Sequence, residues 1–408
     1  MKKLLHIVFN NFYFCIFYIF TSFTFVTALR IVPGINISGT NILAKIALLW
    51  GIVLSLKHLY TIFKRKPYSI EWFIFLFLFI SFIINLLVYP NINNITTWCV
   101  NFVLLTAVFF VNKDKAKSTL EKELFIISNF YVSLTFIFSS ISLVLSLLNK
   151  ELTFSNFDII GKGGFFENEN ALGISAAISL VITLYLIFST TSKKLKSLYI
   201  INFLIQTYLV LTSSARTAYF VFIALIGILV LIQLKKPILR VLFLAIPFLG
   251  TIYACTLDEG ILNHLTTNRD AMWSSAALVI KDNLLLGVGN LDLVEKVLAA
   301  RNVYIPVGIN TGGLHNIYIQ VLATNGIFAF VSLIVFILIS LFYTFKRINA
   351  LKSKGDIQFY LIFSLIVSIL IINLFESNLL YIISFISIIF WIYLGYTLSI
   401  IEAEKRDE

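Results

Sequence analysis

The chain of 408 residues is 59% hydrophobic and 12% charged, with 40 Phe and 18 Tyr. A soluble domain carries about 25% charged residues, so half the charge that solvates an ordinary globular surface is missing. Soluble globule, disordered chain, collagen, coiled coil and disulfide-stapled secreted domain are all excluded, and Cys15, Cys99 and Cys255, each in an apolar context, read as packing residues.

A helix needs about 20 apolar residues to cross about 30 Å of hydrocarbon. Taken in chain order, the apolar runs predict an all-α polytopic membrane protein of about twelve spans: 7–29, 39–56, 70–89, 95–111, 124–148, 171–190, 197–212, 217–234, 238–256, 315–343, 358–375 and 377–400. The apolar core that follows Met1 is too long for a cleaved signal, so it reads as the first span. Residues 1–408 thus form a single membrane domain, interrupted between spans nine and ten by a large outer loop, 257–314. Within that loop, Met272, Trp273, Ala276, Ala277 and Ile280 recur at helical spacing and predict an amphipathic helix lying on the headgroups.

Charge orients the spans. Loops on the side of the termini hold 22 Lys+Arg and those on the opposite side 8, which leaves +13 on one face and −3 on the other. Positive charge stays in the cytoplasm, so both termini are expected there. The net charge of +11 is therefore a matter of topology and requires no nucleic-acid partner. No internal repeat is visible, and polar residues read as gathered at outer helix ends rather than inside spans, which weighs against a transporter.

The soluble motifs are missing. Gly161-Lys162-Gly163-Gly164 lacks P-loop spacing, and no outer Asp-x-Asp is present to hold a divalent cation on a phosphate, so neither a metal nor a cofactor is expected. What remains is a set of helix starts on the outer face. They follow Glu167-Asn168-Glu169-Asn170, Ser213-Ser214-Ala215-Arg216, Asn268-Arg269-Asp270 and His315-Asn316. Helix N-termini present free N–H groups to an anion, and a guanidinium adds a planar fork that suits phosphate. Each residue also has a plainer reading: Arg216 as a headgroup anchor, Arg269 as a partner of Asp270, His315 as a structural histidine, Asn168 and Asn170 as N-caps, Glu376 as a turn residue.

The succession Phe165-Phe166-Glu167-Asn168-Glu169-Asn170, Ser213-Ser214-Ala215-Arg216-Thr217, Asn268-Arg269 with Trp273, Leu285-Leu286-Gly287-Val288-Gly289, His315-Asn316-Ile317-Tyr318 and Asn325-Gly326 resembles the O-antigen ligase and bacterial polysaccharide polymerase superfamily. The resemblance covers about residues 160–330; Glu169 stands where the family motif has proline. It implies a glycosyltransferase of the bacterial cytoplasmic (inner) membrane, acting without metal at the outer face on a glycan linked through pyrophosphate to undecaprenol or a similar polyprenol. Arg216 and Arg269 would bind the pyrophosphate with help from Ser214, Asn168, Asn170 and Asn316. His315 would be the general base or a further phosphate donor. The long loop would act as a lid, with Trp273 or Tyr304 stacking on sugar. A polymerase joining repeat units for capsule, exopolysaccharide or O-antigen is expected on general frequency, its acceptor a second lipid-linked glycan and a chain-length regulator its further partner. A ligase, with a lipid or protein acceptor, and a lipid-linked oligosaccharide flippase are the alternatives.

Overall fold

The computed structural model describes residues 5, 7–32, 34–37, 40–65, 69–148, 163–254, 256–258, 260–261, 266–267, 269–300, 313–350 and 357–407. In chain order the helices are α1 (Asn11–Val26), α2 (Ile42–Arg65), α3 (Ser69–Phe82), α4 (Ile92–Val103), α5 (Lys117–Leu147), α6 (Glu169–Ser189) and α7 (Lys193–Thr212). Then come α8 (Arg216–Gln233), α9 (Pro237–Ala254), α10 (Arg269–Asp282), α11 (Leu293–Ala299), α12 (Ile317–Ala350), α13 (Ile357–Ile372) and α14 (Phe385–Asp407). The strands β1 (Asn36–Ile37) and β2 (Thr40–Asn41) make a minimal hairpin between α1 and α2. α3 and α4 each end in a π-helical turn, Ile83–Val88 and Leu104–Val108.

All twelve expected segments carry a helix. Among the described residues, eight helices (α2, α3 with its π-helical turn, α5, α6, α7, α8, α12 and α14) are long and apolar enough to cross a bilayer, and α1, α4, α9 and α13 contain shorter apolar runs. The chain is a multi-pass membrane protein of all-α class. Centre and periphery separate by burial: α6 and α14 are enclosed by other helices along most of their apolar length, whereas α9 exposes Ile238, Val241, Leu242, Leu244, Ile246 and Leu249. A helix apolar on every side is the expected consequence when neighbours and lipid tails are equally apolar.

Three expectations change. The last span does not begin near 377. Residues 373–384 are non-helical and run back through the interior, with Leu379 and Leu380 fully buried, before α14 starts at Phe385. Buried irregular backbone needs side-chain partners, and it has them: Tyr381 N–H donates to Asn101 Oδ1 at 2.6 Å, and Leu379 C=O accepts from Trp391 Nε1 at 3.1 Å. Secondly, polar residues do occur inside spans. Asn202 Nδ2 donates to Thr183 Oγ1 at 2.7 Å, Gln206 Nε2 to Asn202 Oδ1 at 3.0 Å, Ser139 Oγ to Gln206 Oε1 at 3.0 Å, and Thr135 meets Ser179 at 2.7 Å. This neutral, hydrogen-bonded ladder joins α5, α6 and α7 as interhelical glue.

The third concerns the loop 257–314, expected on the outer face. Its described part, α10 and α11, has a small core of its own, built from Met272, Ala276, Val279, Val288, Leu293, Val297, Leu314 and Ala323. The buried stripe of α10 is Met272, Ser275, Ala276 and Val279, rotated from the predicted one. Ser275 tolerates burial because its hydroxyl donates to Ala271 C=O at 3.0 Å. α10 therefore docks on α12 rather than on headgroups alone.

Candidate functional site

The loop before α6 is fixed first. Ala28 N–H donates to Phe165 C=O and Glu167 N–H to Val26 C=O, so residues 165–167 continue from the end of α1 as paired backbone. Asn168 then caps α6, its Oδ1 accepting from Ala171 N–H at 2.8 Å, and Asn170 follows exposed in the first turn. Glu167 faces Arg30 at 3.6 Å; burial raises its carboxyl above the ordinary value, and the guanidinium draws it partly back.

The Ser213–Arg216 turn lies against this helix start. A Cβ at Gly173 would stand 2.4 Å from Ala215 Cβ and 2.5 Å from Ser213 Oγ, so only glycine lets the turn approach α6 so closely. Ser214 adopts left-handed backbone, φ 59°, and Arg216 is exposed as the first residue of α8. Asn168, Asn170, Ser214 and Arg216 are thus brought to one end of the α6–α8 packing.

A second group assembles around Glu376, expected only as a turn residue. Its Oε1 lies 3.3 Å from Arg269 Nη2 and its Oε2 lies 3.3 Å from His315 Nδ1. All three are largely enclosed, with side-chain exposures of 14% for Arg269, 20% for His315 and 9% for Glu376. Arg269 Nη1 also donates to Phe375 C=O. The predicted neighbour pairing does not form: Asp270 accepts from Thr266 Oγ1, and Arg269 turns to Glu376 instead.

His315 is held from both sides of the chain. Asn316 caps α12, its Oδ1 accepting from Tyr318 N–H and Ile319 N–H at 3.0 Å each, while its Nδ2 donates to Leu374 C=O at 3.0 Å. Ser377 Oγ accepts from Asn316 N–H at 3.1 Å. Trp273 Nε1 donates to Leu314 C=O at 2.9 Å, so the indole pins the residue before His315; its ring meets Phe375 at 6.3 Å. Phe220, one turn into α8 from Arg216, stacks on Phe375 at 4.8 Å. The aromatic set Phe220, Phe375 and Trp273 thereby connects the Arg216 end to the Arg269, His315 and Glu376 group. Asn268 and Tyr304 lie outside the described residues.

Strained backbone marks the same ground. Among the described residues, left-handed φ at non-glycine positions occurs at Ser214, Thr267, His315 and Tyr381. Two are candidate site residues, Thr267 leads into α10, and Tyr381 lies on the linker that carries Glu376. Such strain persists only where surrounding structure over-determines it.

Chemically, a carboxylate beside Nδ1 accepts a hydrogen bond from Nδ1–H, which keeps the ring proton on that side and leaves the lone pair on Nε2. The group can then accept a proton, with Arg269 offsetting the charge of Glu376. Among the described residues no three His, Cys, Asp or Glu side chains gather as metal ligands.

Residues 201–334 match the model of the family described as O-antigen ligase. A search of curated proteins finds no match. The match bears out the resemblance over the motifs from Ser213 to Gly326 and supports the O-antigen ligase-like superfamily; Phe165–Asn170 lie outside it.

Proposed function

From the O-antigen ligase-like superfamily as premise, in which the family acts on lipid-linked polysaccharide donors and acceptors, we propose that this chain is a polymerase of polyprenyl-pyrophosphate-linked repeat units. It works at the outer face of the bacterial cytoplasmic membrane, with twelve crossings and both termini inside. The observation that carries the reading is the Arg269, Glu376 and His315 group beside a helix start bearing Arg216. The acceptor hydroxyl gives its proton to His315 Nε2 as its oxygen bonds to the anomeric carbon. The bond from that carbon to the pyrophosphate breaks, and the electron pair leaves with the lipid pyrophosphate. Arg216, with the positive dipole end of α8 and Ser214, meets the charge that develops there; removing one such donor typically costs about 10² to 10³ in rate.

Arg269 has a different part from Arg216. Its guanidinium already holds Glu376 and Phe375 C=O, so it orients Glu376 and contributes charge to the site rather than a fork to the pyrophosphate. Trp273 supports His315 through Leu314. The neutral ladder inside α5–α7 is closed by its own hydrogen bonds and contains no ionisable residue, which supports an enzyme over a flippase.

The test is deletion of the chain in a producing strain, followed by isolation of the lipid-linked glycans. Accumulation of single repeat units supports the polymerase. Full-length glycan left on the lipid would make the chain a ligase, and units trapped on the cytoplasmic face would make it a flippase.

A further inference from the structure

α12 is interrupted at Gly326, whose φ of 71° and ψ of −179° no helix contains. The carbonyls freed by the break are taken by the outer loop. Val288 N–H donates to Ala323 C=O at 2.9 Å and Gly289 N–H to Thr324 C=O at 3.0 Å, while Ile327 N–H, freed in turn, donates to Leu284 C=O at 2.9 Å. A Cβ on Gly326 would stand 2.1 Å from Leu285 C=O, so the loop segment fills the gap completely.

A file of side-chain amides runs inward from this junction. Asn290 Nδ2 donates to Asn85 Oδ1 at 3.0 Å, Asn85 Nδ2 to Asn325 Oδ1 at 2.8 Å, and Asn325 Nδ2 to the Tyr381 hydroxyl at 2.6 Å. Thr324 Oγ1 meets the same hydroxyl at 3.1 Å. Asn85, Asn325 and Tyr381 are buried, and Asn85 sits in the π-helical turn that ends α3. Asn85 and Asn325 each use the acceptor toward the loop and the donor toward the interior, so the file has a direction and neither amide can turn without breaking at least two bonds. It ends on Tyr381, in the 373–384 linker that carries Glu376.

We propose that Asn85, Asn325 and Tyr381 are positioning residues: they couple the seating of Leu284–Leu291 in the helix break to the placement of Glu376 against His315. The carboxylate is then held correctly only when the outer loop is docked, which links closure over a bound lipid-linked glycan to readiness of the base. This rests on the glycosyl-transfer reading for its consequence, and on the hydrogen bonds alone for the coupling.

The experiment is hydrogen exchange of the full-length protein in lipid nanodiscs, comparing wild type with Asn325→Leu, Tyr381→Phe and Ser332→Ala. Tyr381→Phe deletes one hydroxyl and keeps the fold. It is expected to speed exchange about tenfold in Asn373–Ser384 and, through the file, detectably in Leu284–Leu291. Asn325→Leu is expected to release both segments more strongly. Ser332→Ala, whose hydroxyl donates to Phe73 C=O elsewhere on α12, is expected to release neither. Exchange of Leu284–Leu291 unchanged in Tyr381→Phe overturns the coupling. In transfer assays Tyr381→Phe is expected to lower kcat about tenfold to a hundredfold with the donor KM held, since small misplacements of a base act on the chemical step. A raised KM with kcat unchanged overturns the positioning role. Coupled exchange in a wild type without transfer activity would leave the relay intact and remove the polymerase reading.

Discussion

A guanidinium that already holds two acceptors has little fork left for a third. Arg269 engages Phe375 C=O and Glu376, so its replacement by Lys keeps a charge but abandons one of those contacts, whereas Arg216 stands exposed at its helix start. Arg216→Lys is expected to lose about 10² in turnover, because an ammonium keeps the charge but not the planar fork. Arg269→Lys is expected to lose both activity and stability, and full activity in both Lys variants would end the pyrophosphate proposal. For Glu376, removal of the carboxylate leaves Arg269 enclosed without its counter-charge, a loss of about 3–5 kcal/mol in Glu376→Ala. Glu376→Gln retains hydrogen bonding and is expected to fold while losing the orientation of His315. His315→Ala is expected to fall by roughly 10² to 10⁴ in turnover with donor affinity held if the imidazole is the base; a purely weaker affinity would make it a phosphate contact. Arg216, Arg269 and His315 were legible because each follows a loop and opens a helix. Glu376 was not, because its partners lie 61 and 107 residues away and only the fold of the linker delivers it.

At the scale of the element, the helix positions followed from apolar run length, and even the closely spaced pair α7 and α8, divided by only Ser213–Ala215, stands as read. What run length does not encode is where a buried segment abandons the helix. Residues 377–384 are as apolar as a span, yet tertiary partners, Asn101 and Trp391, satisfy their backbone in another conformation. The stripe of α10 was misjudged for a related reason: Ser275 bonds within its own helix and buries as readily as an alanine. Gly326 offers the corresponding test. Gly326→Ala places a methyl group on Leu285 C=O and asks an alanine to hold φ of 71°, so a loss of more than about 1 kcal/mol is expected, read as a lowered unfolding temperature of the purified protein. An unchanged value would mean that the break is not under strain. Trp273→Phe, by contrast, keeps the ring and removes the donor to Leu314, and is expected to reduce turnover more than stability.

For the molecule as a whole, the charge asymmetry predicts which compartment the site faces. In a variant with Cys15, Cys99 and Cys255 replaced, a cysteine at the exposed Lys281 is expected to react with an impermeant thiol reagent on intact cells, and one at Ser192 is not. Reversed labelling would put the helix starts in the cytoplasm and defeat the proposed reaction. Purified protein is expected to retain activity in a chelator, with arginine in the place of a divalent cation; loss on chelation overturns the metal-free mechanism. The break at Gly326 also bears on how the chain is made. Three of its backbone groups find partners in Leu284–Gly289, a segment synthesised before α12 and expected on the outer face. During synthesis α12 is therefore expected to enter the membrane with unpaired backbone groups at its interruption until Leu284–Gly289 docks on them. Insertion of α12 and folding of the preceding loop are then expected to be one event, and a defect in that loop is expected to surface first as failed insertion and proteolysis, before any enzyme could be assayed.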